Sequence, residues 1–307
     1  MSRFFLVMNP SSRSFRARFE WLRIFELLEA GNAEFDFALT RRDEDTSVLV
    51  HNAIKNGFDT VVAVGGDGTI NEVINGLFEA ESTVGAATLG VIYTGTSPDF
   101  CGYHGIPVDV EKAVDLLLSG KHRRVDVCRI THRHAVEDAQ VQRIFSCCAN
   151  FGLGAAVARG SNSGLRKIWG DAIGTFLSIT LSVLKYSPPD FRVRIDGVES
   201  IIPGVFNIFV GKSPIIASGI NLRMNISPDD GRLYFVPLHG ISRAHLFAIL
   251  PTIYTGSITE RFVPKFPGEI DILDGGTASE VEYDGDPRGL LPAHISILPR
   301  ALDLICP

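Results

Sequence analysis

Hydrophobic and polar positions along the first 120 residues alternate between two periods. Phe4 to Met8 is a short apolar run that reads as a buried strand. The next stretch, "FRARFEWLRIFELLEA", puts Phe15, Phe19, Leu22, Phe25 and Leu28 on one helical face. "EFDFALT" alternates as a strand does. "TSVLVHNAIKNG" reads as a helix ending at Gly57. "DTVVAV" is apolar at every position but its first two, as a strand covered on both faces would be. "LGVIY" is a further strand, and "VEKAVDLLLSG" a helix closed by Gly120. Strand and helix in this rhythm predict an α/β domain with a doubly wound parallel sheet.

The rhythm changes after Val125. "VDVCRI", "QRIFSCCANF", "FRVRIDG", "VFNIFVG", "RLYFVPL", "EIDIL", "EVEYDG" and "AHISIL" are strand-like runs, with turn signals in "IDGV", "PDDG" and "YDGD". This pattern predicts a mainly antiparallel β-sandwich. Two helical segments interrupt it, roughly 168–186 and 243–255. The boundary falls near residue 125, dividing the chain into 1–125 and 126–300.

Composition changes this picture little. The chain has 307 residues, enough for two domains, with 45% apolar and 21% charged residues. The net charge of −6 argues against broad nucleic-acid binding. The five cysteines form no C-x-x-C pair and no metal-ligand spacing, so they read as buried thiols of a reducing cytoplasm. Asn9-Pro10 interrupts the first apolar run before a signal core forms. "AIGTFLSITLSVL" is too short to span a bilayer. The expected protein is cytoplasmic, with peripheral membrane contact left open.

The segment with the most chemistry is "VVAVGGDGTINEVINGL". Gly65 and Gly66 leave a buried strand, and a helix follows. Thr69 reads as its N-cap with Glu72 completing a capping box, and Ile70, Val73, Ile74 and Leu77 form its buried stripe. Such a turn aims backbone N–H groups at an anion, and glycine lets a phosphate approach. Asp67 would repel a phosphate unless a cation or a ligand hydroxyl stood between them. The plainer alternative is a tight turn with Asp67 as a cap. The motif is not a Walker A loop, since no G-x-x-x-x-G-K-[ST] is present.

"GGDGTINEVINGL" resembles the nucleotide-binding signature of the diacylglycerol kinase catalytic-domain family, shared with sphingosine kinases and bacterial lipid kinases and, more distantly, NAD kinases. "VMNPSS", "LGVIYTGTSPDFCGYHGIP", "SPDDGRLYFVPL" and "YDGDP" with "ISILPRALDLICP" resemble further family segments in the family's order. The resemblance covers most of the chain. It implies an ATP-binding α/β domain facing the sandwich across a cleft, with residues from about 301 to 307 returning to the first domain.

Carried over residue by residue, the resemblance gives Gly65, Gly66, Asp67, Gly68, Thr69, Asn71 and Glu72 to the ATP loop, with Thr40, Gly95 and Thr96 as further ATP contacts. It makes Asp284 the general base for phosphoryl transfer to an alcohol. It gives Asp67 and Asp99 to catalytic Mg²⁺ and its water. It gives Asp230, with the backbone carbonyls of Ser227 and Arg232, to a structural Mg²⁺. A plain turn at "YDGDP", a strand-end hydroxyl at Thr40 and a metal-free Asp-Gly hairpin at Asp230 are the structural alternatives.

Several positions depart from the family pattern. Pro98 stands where the family has asparagine, Tyr93-Thr94 where it has Pro-Leu, Gly211 where it usually has asparagine, and Asp286 where it has glutamate. "GKS" at 211–213 reads as a loop. "IGTFLSITLSVLKY" could line an acyl pocket or pack as core. Arg13, Arg16, Arg18 and Arg23 could meet anionic headgroups or form a solvated face. The leading expectation is an ATP- and Mg²⁺-dependent lipid kinase acting on a diacylglycerol-like, sphingoid or phospholipid acceptor at a membrane surface. An NAD kinase-like enzyme and a catalytically weak nucleotide- or lipid-binding protein are the alternatives, and a homodimer is left open.

Overall fold

A computed structural model of the chain describes residues 3–12, 18–41, 45–81, 85–137, 139–156, 183–216, 219–253 and 262–307. In the first half the elements run β1 (Arg3–Met8), α1 (Arg18–Ala30), β2 (Glu34–Leu39), α2 (Thr46–Lys55), β3 (Thr60–Gly65), α3 (Asp67–Glu81), β4 (Thr88–Tyr93), α4 (Asp99–His104) and α5 (Val110–Ser119). The second half contributes β5 (His122–Arg133), β6 (Gln140–Phe145), β7 (Cys148–Gly152), β8 (Phe191–Ile195), β9 (Val198–Ile202), β10 (Val205–Gly211), β11 (Ile215–Ile216), β12 (Ile220–Asn221) and β13 (Tyr234–His239). It closes with α6 (Arg243–Ile253), β14 (Glu269–Asp274), β15 (Glu280–Tyr283) and β16 (Asp286–Ile305).

Strands β2, β1, β3 and β4 pair in parallel in that order. Successive residues of β3 are buried on opposite faces. Val61 and Ala63 pack with Ile70, Val73, Ile74 and Leu77 of α3, so the stripe read from the sequence is the buried one. Val62 and Val64 pack with Ile24 and Leu28 of α1 and with Val114 and Leu117 of α5. Both faces of the sheet are therefore helix-covered, as an all-apolar parallel strand requires.

The second half is antiparallel. Its core joins Phe151, Ile208, Phe235, Ile270, Val281 and Ile295 from different strands. Strand β16 links the two halves. Its early residues pair with β15 and β14, the stretch from Leu290 to Ile305 pairs with β5, and Leu304 pairs in parallel with Leu89 of β4. The ladder with β5 shifts register around Pro292 and Pro299, where a strand lacks an N–H to donate.

Three sequence expectations need correction. The α1 face toward the sheet is Trp21, Ile24, Phe25 and Leu28, whereas Phe19 is 86% and Leu22 73% exposed. The two stripes share Phe25 and Leu28, and periodicity alone does not choose between them; the sheet does, by accepting Ile24. Helix α3 starts at Asp67, so Thr69 lies inside it and is not its N-cap. Ile70 N donates to Gly66 O (3.0 Å), and Glu72 accepts from Thr46 Oγ1 (2.9 Å), not from a capping box. Finally, "QRIFSCCANF" is two strands, broken at Ser146-Cys147. The expected helix over 168–186 lies mostly outside the described residues, as do Phe15, Arg13 and Arg16. Among the described residues no helix is long and apolar enough to cross a membrane, and all five cysteines are buried free thiols.

Candidate active site

The loops after β3 and β4 meet at the carboxyl edge of the parallel sheet, where ligands of open α/β folds bind. A Cβ on Gly95 would lie 2.5 Å from Gly66 Cα and 2.6 Å from the Tyr93 hydroxyl. A Cβ on Gly65 would lie 2.4 Å from Thr69 Oγ1. The glycines are thus imposed by packing between the two loops as well as by the turn. Gly95→Ala is expected to lower stability by about 1–3 kcal/mol, as overpacking does. An unchanged denaturation midpoint in urea would mean that the two loops do not touch in solution.

Asn9, in the loop after β1, joins this edge. Its Nδ2 donates to Thr69 Oγ1 (2.9 Å), and its Oδ1 accepts from Ser11 N (2.9 Å). Asp67 starts α3 and reaches across to the next loop, where its Oδ2 accepts from Asp99 N (3.3 Å). Asp67 therefore supports the start of α4, whose N-cap, Pro98, offers no side-chain hydrogen bond. The other oxygen, Asp67 Oδ1, is buried with no hydrogen-bond partner among the described residues. Burial, and then the charges of Asp99 and Asp284, push the Asp67 carboxyl up to about 8. Asp99 is itself buried, and its Oδ1 accepts from Gly219 N (2.9 Å).

Asp284 comes from the β15–β16 turn, where its φ of 49° is left-handed and Gly285 follows. Its carboxylate is held by groups from both halves of the chain. Asn71 Nδ2 of α3 (2.9 Å), Ser146 N (3.0 Å) and Ser146 Oγ (3.3 Å) donate to Oδ2. Cys147 N (2.9 Å) and Cys148 N (3.3 Å) donate to Oδ1. This explains the break between β6 and β7: the N–H groups of Ser146 and Cys147 serve the carboxylate instead of a sheet ladder. Burial pushes the Asp284 carboxyl up, while these donors pull it down, and burial prevails.

Residues from α3 also fasten the two halves together. Asn75 Nδ2 donates to Ile144 O (2.9 Å), and Asn75 Oδ1 accepts from Ile144 N (2.8 Å). Asn75 was not singled out from the sequence. Its place four residues after Asn71, on one helical face, is the signal that could have found it. Beside this seam runs a cleft of about 620 Å³, with Thr40, Asn71 and Glu72 on one side and His132, Tyr283 and Arg288 on the other. Arg288 ion-pairs with Asp286 (3.0 Å), and its Nε is buried without a hydrogen-bond partner among the described residues. Asp67, Gly95 and Thr96 do not line this cleft; Asn71 links it to Asp284. Asp286 approaches the glycine loop, since a Cβ on Gly68 would lie 3.7 Å from its Oδ2.

The structure brings Asp230, Ser227 and Arg232 together at a different place, around the ammonium of Lys212. Lys212, just past β10, falls in the segment whose sequence reads as a loop. Among the described residues no set of three or more His, Cys, Asp or Glu side chains converges to hold a metal directly. Arg23 is engaged by Glu111 and Glu26 on an exposed face.

A doubly wound sheet with a glycine turn, joined to a sandwich that delivers a carboxylate to that turn, defines a two-part kinase-type fold. The chain belongs to the family of the YegS C-terminal NAD kinase beta sandwich-like domain, which matches more than half of it, and carries a diacylglycerol kinase catalytic domain ahead of that match. Residues 3–130 match the diacylglycerol kinase catalytic domain, and residues 148–306 match the YegS C-terminal NAD kinase beta sandwich-like domain. A relative from Staphylococcus aureus (strain MRSA252), named diacylglycerol kinase, is 26% identical over 98% of this chain and 91% of its own length. A diacylglycerol kinase structure from Bacillus anthracis str. Sterne superposes with a TM-score of 0.74 at 20% identity, covering 100% of this chain and 97% of that one. Yeast NADH kinase complexed with NADH gives a TM-score of 0.56 at 14% identity, covering 99% of this chain and 82% of that one. At these identities the two structures speak for the fold alone.

Proposed function

We propose that the protein is an ATP- and Mg²⁺-dependent lipid kinase that transfers the γ-phosphoryl group to the hydroxyl of a diacylglycerol-like or related lipid. The observation that carries this reading is the meeting of Asp284 with the glycine loop. Asn71, two residues past Thr69, hydrogen-bonds the carboxylate delivered by the sandwich (2.9 Å). Phosphoryl transfer asks little covalent chemistry of a protein and much positioning, with a base for the attacking hydroxyl. A carboxyl raised by burial is a stronger base once ionised than an exposed one.

In this reading the N–H groups at the start of α3 and the loop around Gly95 and Thr96 receive the phosphates, while Thr40 and Glu72 border the nucleotide. Asp67 and Asp99 would hold the cation through its water. Asp67 Oδ1, buried without a partner among the described residues and charged only at a cost, fits that role. When bound, the cation would neutralise charge on the transferring group. Asp284 takes the proton of the lipid hydroxyl at Oδ2. An ionised carboxylate offers about four lone-pair positions, and five donors already face this one. The hydroxyl would displace the Ser146 Oγ contact, since that O–H turns away by rotation about one bond whereas Asn71 Nδ2 is also held by Ile144 O (3.0 Å). The lipid would reach the site from a membrane surface.

The crowding of Asp284 also supports a second reading, in which the chain binds nucleotide and lipid but turns over poorly. One experiment separates the two. Transfer of labelled γ-phosphate from ATP to a mixed lipid panel in detergent micelles with Mg²⁺ is expected to label one lipid class. Label on no lipid, with ATP binding intact, would leave the binding protein. With NAD offered as a further acceptor in a parallel reaction, label on NAD alone would move the assignment to an NAD kinase-like enzyme.

A further inference from the structure

Away from the cleft, the end of β10 carries a buried ion cluster. Lys212 is 0% exposed, and a lone ammonium is costly to bury unless neutralised. Its Nζ ion-pairs with Asp126 Oδ2 (2.7 Å) and donates to Asp230 Oδ1 (2.5 Å) and the Arg232 carbonyl (3.0 Å). Two carboxylates and a carbonyl thus surround the ammonium. The carboxylates are equally engaged. Asp126 accepts from Gly231 N (2.7 Å) and Arg300 N (2.8 Å). Asp230 accepts from Ser227 N (2.9 Å), Arg232 N (3.1 Å) and the Arg232 guanidinium (2.8 Å). Burial works against the charged Asp230, yet the bonds from Lys212, Ser227 and Arg232 hold it well below the usual carboxylate range. Two carboxylates, Asp126 and Asp230, face two cations, Lys212 and Arg232, so the cluster is neutral.

We propose that the Lys212 ammonium is a built-in substitute for a structural divalent cation, so that the Asp230 corner of this protein forms without metal. The family resemblance gives Asp230 and the carbonyls of Ser227 and Arg232 to Mg²⁺. The residues present do not fit that ion. Mg²⁺ requires near-octahedral oxygen ligation at about 2.0–2.1 Å. Here Nζ already sits between Asp230 Oδ1 and the Arg232 carbonyl, and it would repel a cation arriving beside it.

Gly211 belongs to the same device. A Cβ there would lie 2.3 Å from the Cys147 carbonyl. That carbonyl accepts the N–H groups of Lys212 (3.0 Å) and Ser213 (3.1 Å), and so fixes the backbone from which the lysine turns inward. The departure from asparagine at 211 is thus a packing requirement of the lysine arrangement.

Thermal unfolding of the full chain, without nucleotide, in EDTA and then in millimolar Mg²⁺ tests this. The native protein should show no Mg²⁺-dependent rise in melting temperature that depends on Asp230. Lys212→Ala, which leaves room for an ion and its water, should melt on the order of 10 °C lower in EDTA and recover part of that loss in Mg²⁺. A Mg²⁺-dependent rise in the native protein that vanishes in Asp230→Asn would overturn the proposal. So would a Lys212→Ala protein that melts like the native one, or one that is destabilised yet indifferent to Mg²⁺. Should Lys212→Ala fail to fold, the comparison of native protein with Asp230→Asn decides alone. A native Mg²⁺ response that persists in Asp230→Asn arises elsewhere and agrees with the proposal.

Discussion

Asp284→Asn should lower phosphoryl transfer by about 10²–10⁴-fold, the usual contribution of a positioned general base. The left-handed φ of 49° suits asparagine, so the turn itself is not strained by the change. The oxygens are the difficulty. One of them becomes an NH₂ group facing backbone N–H donors of the Ser146–Cys148 segment or Asn71. At least one donor then loses its acceptor, which costs about 1–3 kcal/mol. Activity and stability must therefore be measured on the same sample. Lost transfer with ATP binding retained and a modestly lowered midpoint would identify Asp284 as the base. Full transfer by a folded variant would reduce Asp284 to a structural anchor for the strand break, and the mechanism above would fail.

Asp67→Asn should abolish most activity and yet stabilise the protein without nucleotide or metal at alkaline pH. Asp67 is pushed up to about 8 by burial and by the charges of Asp99 and Asp284. The ordinary value, 3.8, applies to the unfolded chain. Between about pH 4 and 8 the folded protein therefore binds more protons at this group than the unfolded chain does. Stability then falls as pH rises through that window and levels off above it. Asparagine removes the dependence, so the stability difference between variant and native protein should grow from pH 4 to 8 in the variant's favour. Glu282, also pushed up to about 8 by burial, adds the same trend to both proteins and cancels in the difference. Urea titrations in EDTA at several pH values measure this. A difference that stays flat across the window would show that Asp67 is not held at a cost. Activity should fall by roughly 10²-fold or more, the scale of losing one preorganised electrostatic group.

Much of this architecture is written in local pattern. A strand apolar at all but its first two positions, such as "DTVVAV", must be covered on both faces, and the helices that cover it follow at once in the chain. The stripe Ile70, Val73, Ile74 and Leu77 has one solution, and the structure adopts it. The Gly-Gly-Asp-Gly-Thr turn marks the sheet edge because few other residues allow that approach of two loops. The resemblance found in these segments, in their order, also led to the family.

What the sequence left open involves partners remote in the chain. Periodicity reports that one face is buried without naming the neighbour, so α1 offered two overlapping stripes and only the sheet chose Ile24 over Phe19. Polar satisfaction is equally non-local. Ser146 and Cys147 look like strand residues until Asp284, more than a hundred positions later, claims their N–H groups. Lys212 looks like a loop residue until Asp126 and Asp230 close around it. By itself the sequence determined the two-part fold, the glycine turn and the identity of the carboxylates. Only the tertiary structure decided which of those carboxylates are paired with lysine and which keep an oxygen without a hydrogen-bond partner among the described residues, because that depends on which groups folding brings within reach.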